Sequence, residues 1–222
     1  MPQLRVPSAV IFDLDGTIVD NMSLHAEAFA AFAARHGLPP LTPADRAKLD
    51  GRRNSEIFPV LFDREMDRDE WLAYEHEKEG LYRDLSRGRL TLVAGLTALL
   101  EYLDERGIVV ALATSAPALN VAHTLDEVGL GHAFPTIVRG DQVGRGKPAP
   151  DVFLEAARQL DVPADACLVF EDAPMGIAAA HAAGMAVVAI ASSFTAAQFA
   201  TLAEPPDLVC RDFVEFLAGV RW

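Results

Sequence analysis

The chain has 222 residues and a net charge of −13. That balance argues against non-specific binding of nucleic acid or an anionic membrane, which needs a basic patch, although a locally positive site for an anionic substrate stays compatible with it. With 51% apolar and 23% charged residues, the composition is that of a globular protein of one or two domains with a large core, not of a disordered chain.

No run approaches the ~20 apolar residues of a membrane span. The apolar stretch Ser8–Phe12 is too short for a signal peptide and stops at Asp13. Cys167 and Cys210 lie far apart with no C-x-x-C spacing, and Cys167 sits in an apolar run, so a buried thiol is expected. These features imply a soluble, cytoplasmic protein, read here as a monomer.

The first predicted element is a strand, Ala9–Phe12, which runs into Asp13-Leu14-Asp15-Gly16-Thr17. An unbroken apolar run suggests a strand buried on both faces. If the chain stays extended past Phe12, Asp13 and Asp15 point to one side and converge. Two such carboxylates repel and are costly to desolvate unless a cation lies between them. The structural alternative is a strand followed by an Asx-type turn with both acids solvated. Gly16 lets the chain turn, and Thr17 is expected to hydrogen-bond that turn.

A helix then opens near Ser23, carries Leu24, Phe29, Phe32 and Ala33 at helical spacing, and closes at Gly37 before Pro39-Pro40. Residues 43–86 stay helix-like. Ile57, Val60, Leu61 and Phe62 read as one apolar stripe, and Trp71, Leu72, Tyr74, Leu81, Tyr82 and Leu85 as another. Charges are dense between them, Asp63 to Asp69 and Glu75 to Glu79. From Leu90 the pattern alternates: helix 96–106, strand 108–113, helix 117–128, strand 136–138, helix 151–160, strand 167–170, helix 175–183, strand 186–190, strand 208–209, helix 213–219. Strands alternating with helices predict an α/β fold with a parallel, doubly wound (Rossmann-like) sheet. A small helical domain is inserted after the first strand. The domain reading is 1–20 with 89–222 as the core and 21–88 as the insert.

Three further strand ends or helix starts carry polar residues. Thr114-Ser115 stands before Pro117 at a helix start, which suits an N-cap and equally an anion site at the positive helix end. Lys147 lies between Gly144-Arg145-Gly146 and Pro148-Ala149-Pro150-Asp151, a setting that fixes the backbone and leaves the ammonium free to reach inward. Glu171-Asp172 follow the strand 167–170. They suit a helix-start charge pair, or a place across the same crevice from Asp13 and Asp15.

The four segments D-L-D-G-T, T-S, G-K-P-x-P-D and E-D-x-x-x-G-I-x-A-A, in this order, resemble the motifs of the haloacid dehalogenase superfamily. Within it, the chain is similar to the β-phosphoglucomutase-like phosphatases, whose helical cap follows the first motif as residues 21–88 do here. The resemblance implies a Mg²⁺-dependent phosphatase acting on a small phosphorylated metabolite, a sugar phosphate. Asp13 is then the nucleophile that forms an aspartyl-phosphate, Asp15 the acid and base, and Lys147 a catalytic and phosphate-binding cation. Thr114 and Ser115 bind phosphate. Asp13, the carbonyl of Asp15 and Asp172 hold Mg²⁺, with Glu171 in support. A haloalkanoate dehalogenase lacks the second aspartate, so Asp15 argues against that chemistry.

The match thins in the cap. His25 stands where the mutase-like group has a cap histidine, although a helix-surface histidine is the structural alternative. Where the mutases have Lys-Gly-x-x-Arg, this chain has Asp50-Gly51-Arg52-Arg53-Asn54. Gly51, Arg52, Asn54 and His25 are therefore the candidate substrate contacts. The lost cations favour a phosphatase, while Arg52 or Arg53 keeps a mutase as the alternative. A pyrophosphatase or a non-catalytic phosphate-binding module completes the set.

Overall fold

In the computed structural model, which describes residues 4–220 and 222, six parallel strands form one sheet. They are β1 (Ala9–Phe12), β2 (Val109–Thr114), β3 (Thr136–Arg139), β4 (Cys167–Glu171), β5 (Ala186–Ile190) and β6 (Leu208–Cys210), in the order β3-β2-β1-β4-β5-β6. This is the expected doubly wound core. The parts of the expected core at residues 1–3 and 221 lie outside the described residues.

Alternation along each strand sorts the core into two layers. Val10, Phe12, Leu112, Leu168, Phe170 and Val188 pack on one face with Leu99, Leu103, Phe213 and Phe216, from helices α5 (Leu96–Asp104) and α10 (Phe213–Gly219). Ala9, Ile11, Ala111, Val169 and Val187 pack on the other with Phe153, Ile177 and Ala180, from helices α7 (Asp151–Leu160) and α8 (Pro174–Ala182). Phe12 stacks on Phe170 at 5.2 Å between centroids, and Phe213 meets both edge-on. Both cysteines are free and buried.

Four helices leave the sheet after β1: α1 (Met22–His36), α2 (Pro43–Leu49), α3 (Asn54–Leu61) and α4 (Arg68–Ser86). Gly37 closes α1 in the left-handed conformation, as expected. Helix α6 (Ala118–Glu127) follows β2, and a short helix α9 (Ala196–Phe199), absent from the sequence reading, follows β5. No described helix is long and apolar enough to cross a membrane.

One expectation about the inserted helices fails. In the Ile57–Phe62 stripe, Val60 is 62% exposed and Phe58 takes its buried place. Within the dense charges of α4, Lys78 and Glu79 are buried. The two charges pair at 2.9 Å, and hydrogen bonds to Asn54, Asn120 and His25 offset more of the cost of leaving water.

Strand β4 carries the core into the acids that follow it. Phe170→Ala should therefore cost about 3–5 kcal/mol, measured by urea unfolding. A cost below about 1 kcal/mol would contradict the aromatic packing described.

Candidate active site

The strand order reverses between β1 and β4, so the crevice at their carboxyl ends is the switch point of the sheet. Phe12 pairs in register with Leu112 and Phe170, and the Asp13 N–H donates to the Phe170 carbonyl at 3.0 Å. Asp13 therefore stands at the crevice beside Glu171 and Asp172, all three buried.

Lys147 reaches this cluster from the loop before α7. Its Nζ donates to Asp13 Oδ1 and to Glu171 Oε1, each at 2.6 Å, and its side chain is 1% exposed. Burial disfavours the ammonium, but the charges of Asp13 and Glu171 outweigh burial and hold its pKa above the ordinary lysine value. Glu171 Oε2 also accepts the backbone N–H groups of Asp172 and Ala173, at 2.8 and 2.9 Å. One ammonium does not balance three acids. Burial pushes the Asp13 carboxyl up to about 7 against the pull of Lys147. Burial, then Glu171 and Asp13, raise Asp172 well above the carboxylate range.

The tight fit depends on two glycines. A Cβ on Gly16 would overlap the Asp172 carboxylate, and one on Gly176 would overlap that of Glu171. Gly16 also has φ +77°, so both conformation and space exclude a side chain there.

Beyond Phe12 the chain does not stay extended, and Asp13 and Asp15 meet different partners while lining one cavity. The strand ends at Phe12, and the N–H groups of Thr17, Ile18 and Val19 all turn back to the Leu14 carbonyl. Asp15 consequently faces the inserted helices. Its Oδ1 accepts from Asn21 Nδ2 at 2.6 Å and lies 3.4 Å from His25 Nε2. Burial raises the Asp15 carboxyl, but His25, Asn21 and Lys78 outweigh it and hold the group below the ordinary value. The Thr17 hydroxyl, expected to bond the turn, is buried without a partner.

The second motif also departs from the N-cap expectation. Pro117 is the N-cap of α6 and no side chain caps the helix. Thr114 Oγ1 accepts the Ala116 N–H at 3.0 Å, which leaves its own proton to donate. The Ser115 hydroxyl donates at 2.7 Å to the carbonyl of Gly51, joining the crevice to the inserted segment.

A cavity of about 80 Å³ lies between the strand ends and the inserted helices, lined by Asp13, Asp15, Thr114, Ser115 and Asp172 on one side. His25, Gly51, Arg52 and Asn54, the candidate substrate contacts, line the other side. His25 is buried and stacks on Tyr82 at 3.8 Å, so the helix-surface alternative is wrong. Asp50 does not stand as an isolated acid: Arg46 binds its Oδ2 at 3.0 and 3.2 Å. Arg53 is occupied elsewhere, by Glu56 at 2.8 Å and by the carbonyls of Gly140 and Val143.

Three site residues escaped the sequence reading. Asn21 looks like a helix N-cap, yet it makes no cap bond. It accepts the Gly16 N–H and donates to Asp15 and Tyr82. Lys78 bonds His25 Nδ1 at 3.1 Å, and Asn120 bonds Glu79 at 2.6 Å. No local sequence signal marks the last two.

Among the described residues no three His, Cys, Asp or Glu side chains are grouped as a metal cluster. Lys147 lies between Asp13 and Glu171, and Asp15 is hydrogen-bonded by Asn21. A hard divalent cation nevertheless fits. Asp13 and Asp172 are buried oxygen donors at one crevice, the ligand type such a cation takes, with one ammonium among three acids.

Acids and one lysine are thus gathered at the switch point of a parallel sheet, where open α/β folds bind their ligands. The chain belongs to the haloacid dehalogenase-like hydrolase family, whose sequence profile matches residues 10–190. It is 32% identical over 180 residues to a phosphorylated carbohydrates phosphatase of Thermotoga maritima, covering 80% of this chain and 82% of that one. It is 33% identical over 187 residues to hexitol phosphatase A of Escherichia coli, covering 81% of each. The crystal structure of a family IA, variant 3 hydrolase of this superfamily from Entamoeba histolytica superposes with a TM-score of 0.83 at 32% identity, covering 93% of this chain and 94% of that one.

Removing the lysine strands two buried carboxylates. Lys147→Ala should destabilise the metal-free protein by about 3–5 kcal/mol, read by urea unfolding. Adding Asp13→Asn should recover part of that loss. A double variant no more stable than the single would contradict the charge balance described.

Proposed function

We propose that this chain is a Mg²⁺-dependent phosphatase that hydrolyses a small phosphate monoester, a sugar phosphate, through a phosphoryl group carried on Asp13. One observation carries the reading: the buried Asp13 at the switch point, ion-paired to Lys147 at 2.6 Å and opening on a cavity also lined by Thr114 and Asp15. The names of the two relatives and the small cavity support the substrate class. Residues 21–88 act as a cap over a core of 1–20 and 89–222.

In the first half-reaction an Asp13 carboxylate oxygen attacks phosphorus in line with the ester oxygen. The P–O ester bond breaks, its electron pair leaves on the alcohol oxygen, and Asp15 supplies the proton. Asp15 is ionised in the free enzyme, and an incoming phosphate dianion raises its proton affinity, which charges it for this role. In the second half-reaction water attacks phosphorus and gives its proton to Asp15, and Asp13 is released as a carboxylate. The Thr114 hydroxyl donates to a phosphoryl oxygen, and the Lys147 ammonium offsets the charge that develops there. Asp13, Asp172 and the Asp15 carbonyl would hold Mg²⁺, supported by Glu171. When bound, the ion neutralises the phosphoryl oxygens and the surplus of buried acid. Asn21 and His25, both from the start of the inserted segment, hold Asp15 from that side of the cavity.

A mutase is the second reading, favoured by one observation: Arg52 lines the cavity and its buried Nε has no partner among the described residues.

Asp13→Asn should lower turnover of an aryl phosphate by on the order of 10⁴-fold or more, with an unchanged circular dichroism spectrum. Near-normal turnover would sink the covalent mechanism. Excess chelator should abolish activity and Mg²⁺ restore it; full activity in chelator would contradict the metal assignment. With β-glucose 1-phosphate and a trace of the 1,6-bisphosphate, phosphate release should outrun formation of glucose 6-phosphate, and the reverse would establish the mutase.

A further inference from the structure

The cavity wall opposite the strand ends holds polar groups that the phosphoryl chemistry does not use. They are Asn54 on α3, Glu79 on α4 and Asn120 on α6, all buried and all lining the cavity. Glu79 Oε1 accepts from Asn54 Nδ2 at 2.7 Å and from Lys78 Nζ at 2.9 Å. Its Oε2 accepts from Asn120 Nδ2 at 2.6 Å. A carboxylate has about four acceptor positions, so Oε2 keeps one open. Asn54 Nδ2 also donates to Glu75 Oε2 at 3.1 Å. Only an amide NH₂ can face two carboxylates, so this bond sets the orientation of Asn54. Its Oδ1 accepts no hydrogen bond among the described residues. Asn120 Oδ1, by contrast, is taken by Arg83 at 2.6 Å.

The wall therefore presents two unfilled acceptors, Glu79 Oε2 and Asn54 Oδ1. A ligand leaves them unpaired, at a cost, unless it brings donors. A distal phosphate or carboxylate brings only acceptors and meets the Glu79 charge. An aryl or alkyl group brings nothing. A hydroxyl brings a donor, and its own lone pairs suit the Nε–H of Arg52, which lines the same cavity and has no partner among the described residues. Lys78, His25 and Asn54 outweigh burial at Glu79 and hold its carboxyl below the ordinary value, which keeps it an acceptor.

We infer that Glu79 and Asn54 determine substrate specificity by accepting hydrogen bonds from hydroxyls of the leaving group. The substrate is then the phosphate ester of a polyol with at least two free hydroxyls, such as a sugar or alditol phosphate. This rests on the phosphatase reading above and adds to it the residues that read the leaving group.

The experiment compares kcat/KM within two matched pairs in the presence of Mg²⁺: sorbitol 6-phosphate against hexyl phosphate, and glycerol 3-phosphate against propyl phosphate. Para-nitrophenyl phosphate serves as the reference. The native enzyme should favour the hydroxylated member of at least one pair by about tenfold or more. Glu79→Gln, which keeps shape and removes the charge, and Asn54→Ala should each lower that preference by about fivefold or more. The preference is a ratio within one variant, so a loss common to all substrates, as from a disturbed Lys78–His25 contact, cancels. A native preference near unity in both pairs overturns the inference, and so does a preference that both variants retain. The native measurement stands alone should either variant fail to fold. Absence of para-nitrophenyl phosphate hydrolysis by the native enzyme would instead overturn the phosphatase reading, a separate result.

Discussion

The structure turns on one ammonium group. Lys147 lies between Asp13 and Glu171, 2.6 Å from each, in a crevice almost without solvent. Burying three carboxylates at adjacent strand ends is unfavourable unless charge and hydrogen bonds compensate. The lysine supplies one charge, backbone N–H groups hold Glu171, and Ser193 donates to Asp172 at 2.5 Å. What stays uncompensated appears in the raised proton affinities of Asp13 and Asp172. The same surplus of negative charge that strains the resting site is what a cation and a phosphoryl group together require.

Other features follow from holding that lysine in place. The Gly146 that precedes it lies against the side-chain ends of Arg53 and Glu56 from the inserted segment, which a Cβ there would displace. Arg53 also reaches the carbonyls of Gly140 and Val143 on the neighbouring loop. The segment that places Lys147 is thus packed against the segment that lines the far side of the cavity. Ser115 makes a second tie of this kind through the Gly51 carbonyl.

A polar chain runs away from the crevice into the inserted helices. Asp15 is held by Asn21, which is held by Tyr82, while His25 stacks on Tyr82 and bonds Lys78, and Lys78 bonds Glu79. Asn120 closes this chain back onto the core. The acid and base of the proposed chemistry and the wall that faces the leaving group therefore share one buried network. In such a network each group depends on its neighbours for satisfied hydrogen bonds.

Much of this was legible in the order of residues. Strands buried on both faces announce themselves as apolar runs, and their ends as abrupt changes to Asp, Thr or Glu, because a parallel sheet covered by helices leaves its strands little solvent. Asp13, Thr114, Glu171 and Asp172 stand at such breaks, and Lys147 between a Gly-x-Gly and a Pro-x-Pro, while the family resemblance supplied their roles. The direction Asp15 faces was not legible, because it depends on three N–H groups turning to one carbonyl after the strand ends. Nor were the roles of Lys78, Glu79 and Asn120. In sequence, Lys78 and Glu79 look like any solvated pair in a charged helix, and Asn120 like any helix polar residue. Their burial arises only when α4 packs against α1 and α6, where the cost of desolvation is met by partners up to 53 positions away in the chain. The local sequence therefore determined the strand ends and the acids and lysine placed there, while the tertiary packing decided which charges lost their water and which partners replaced it.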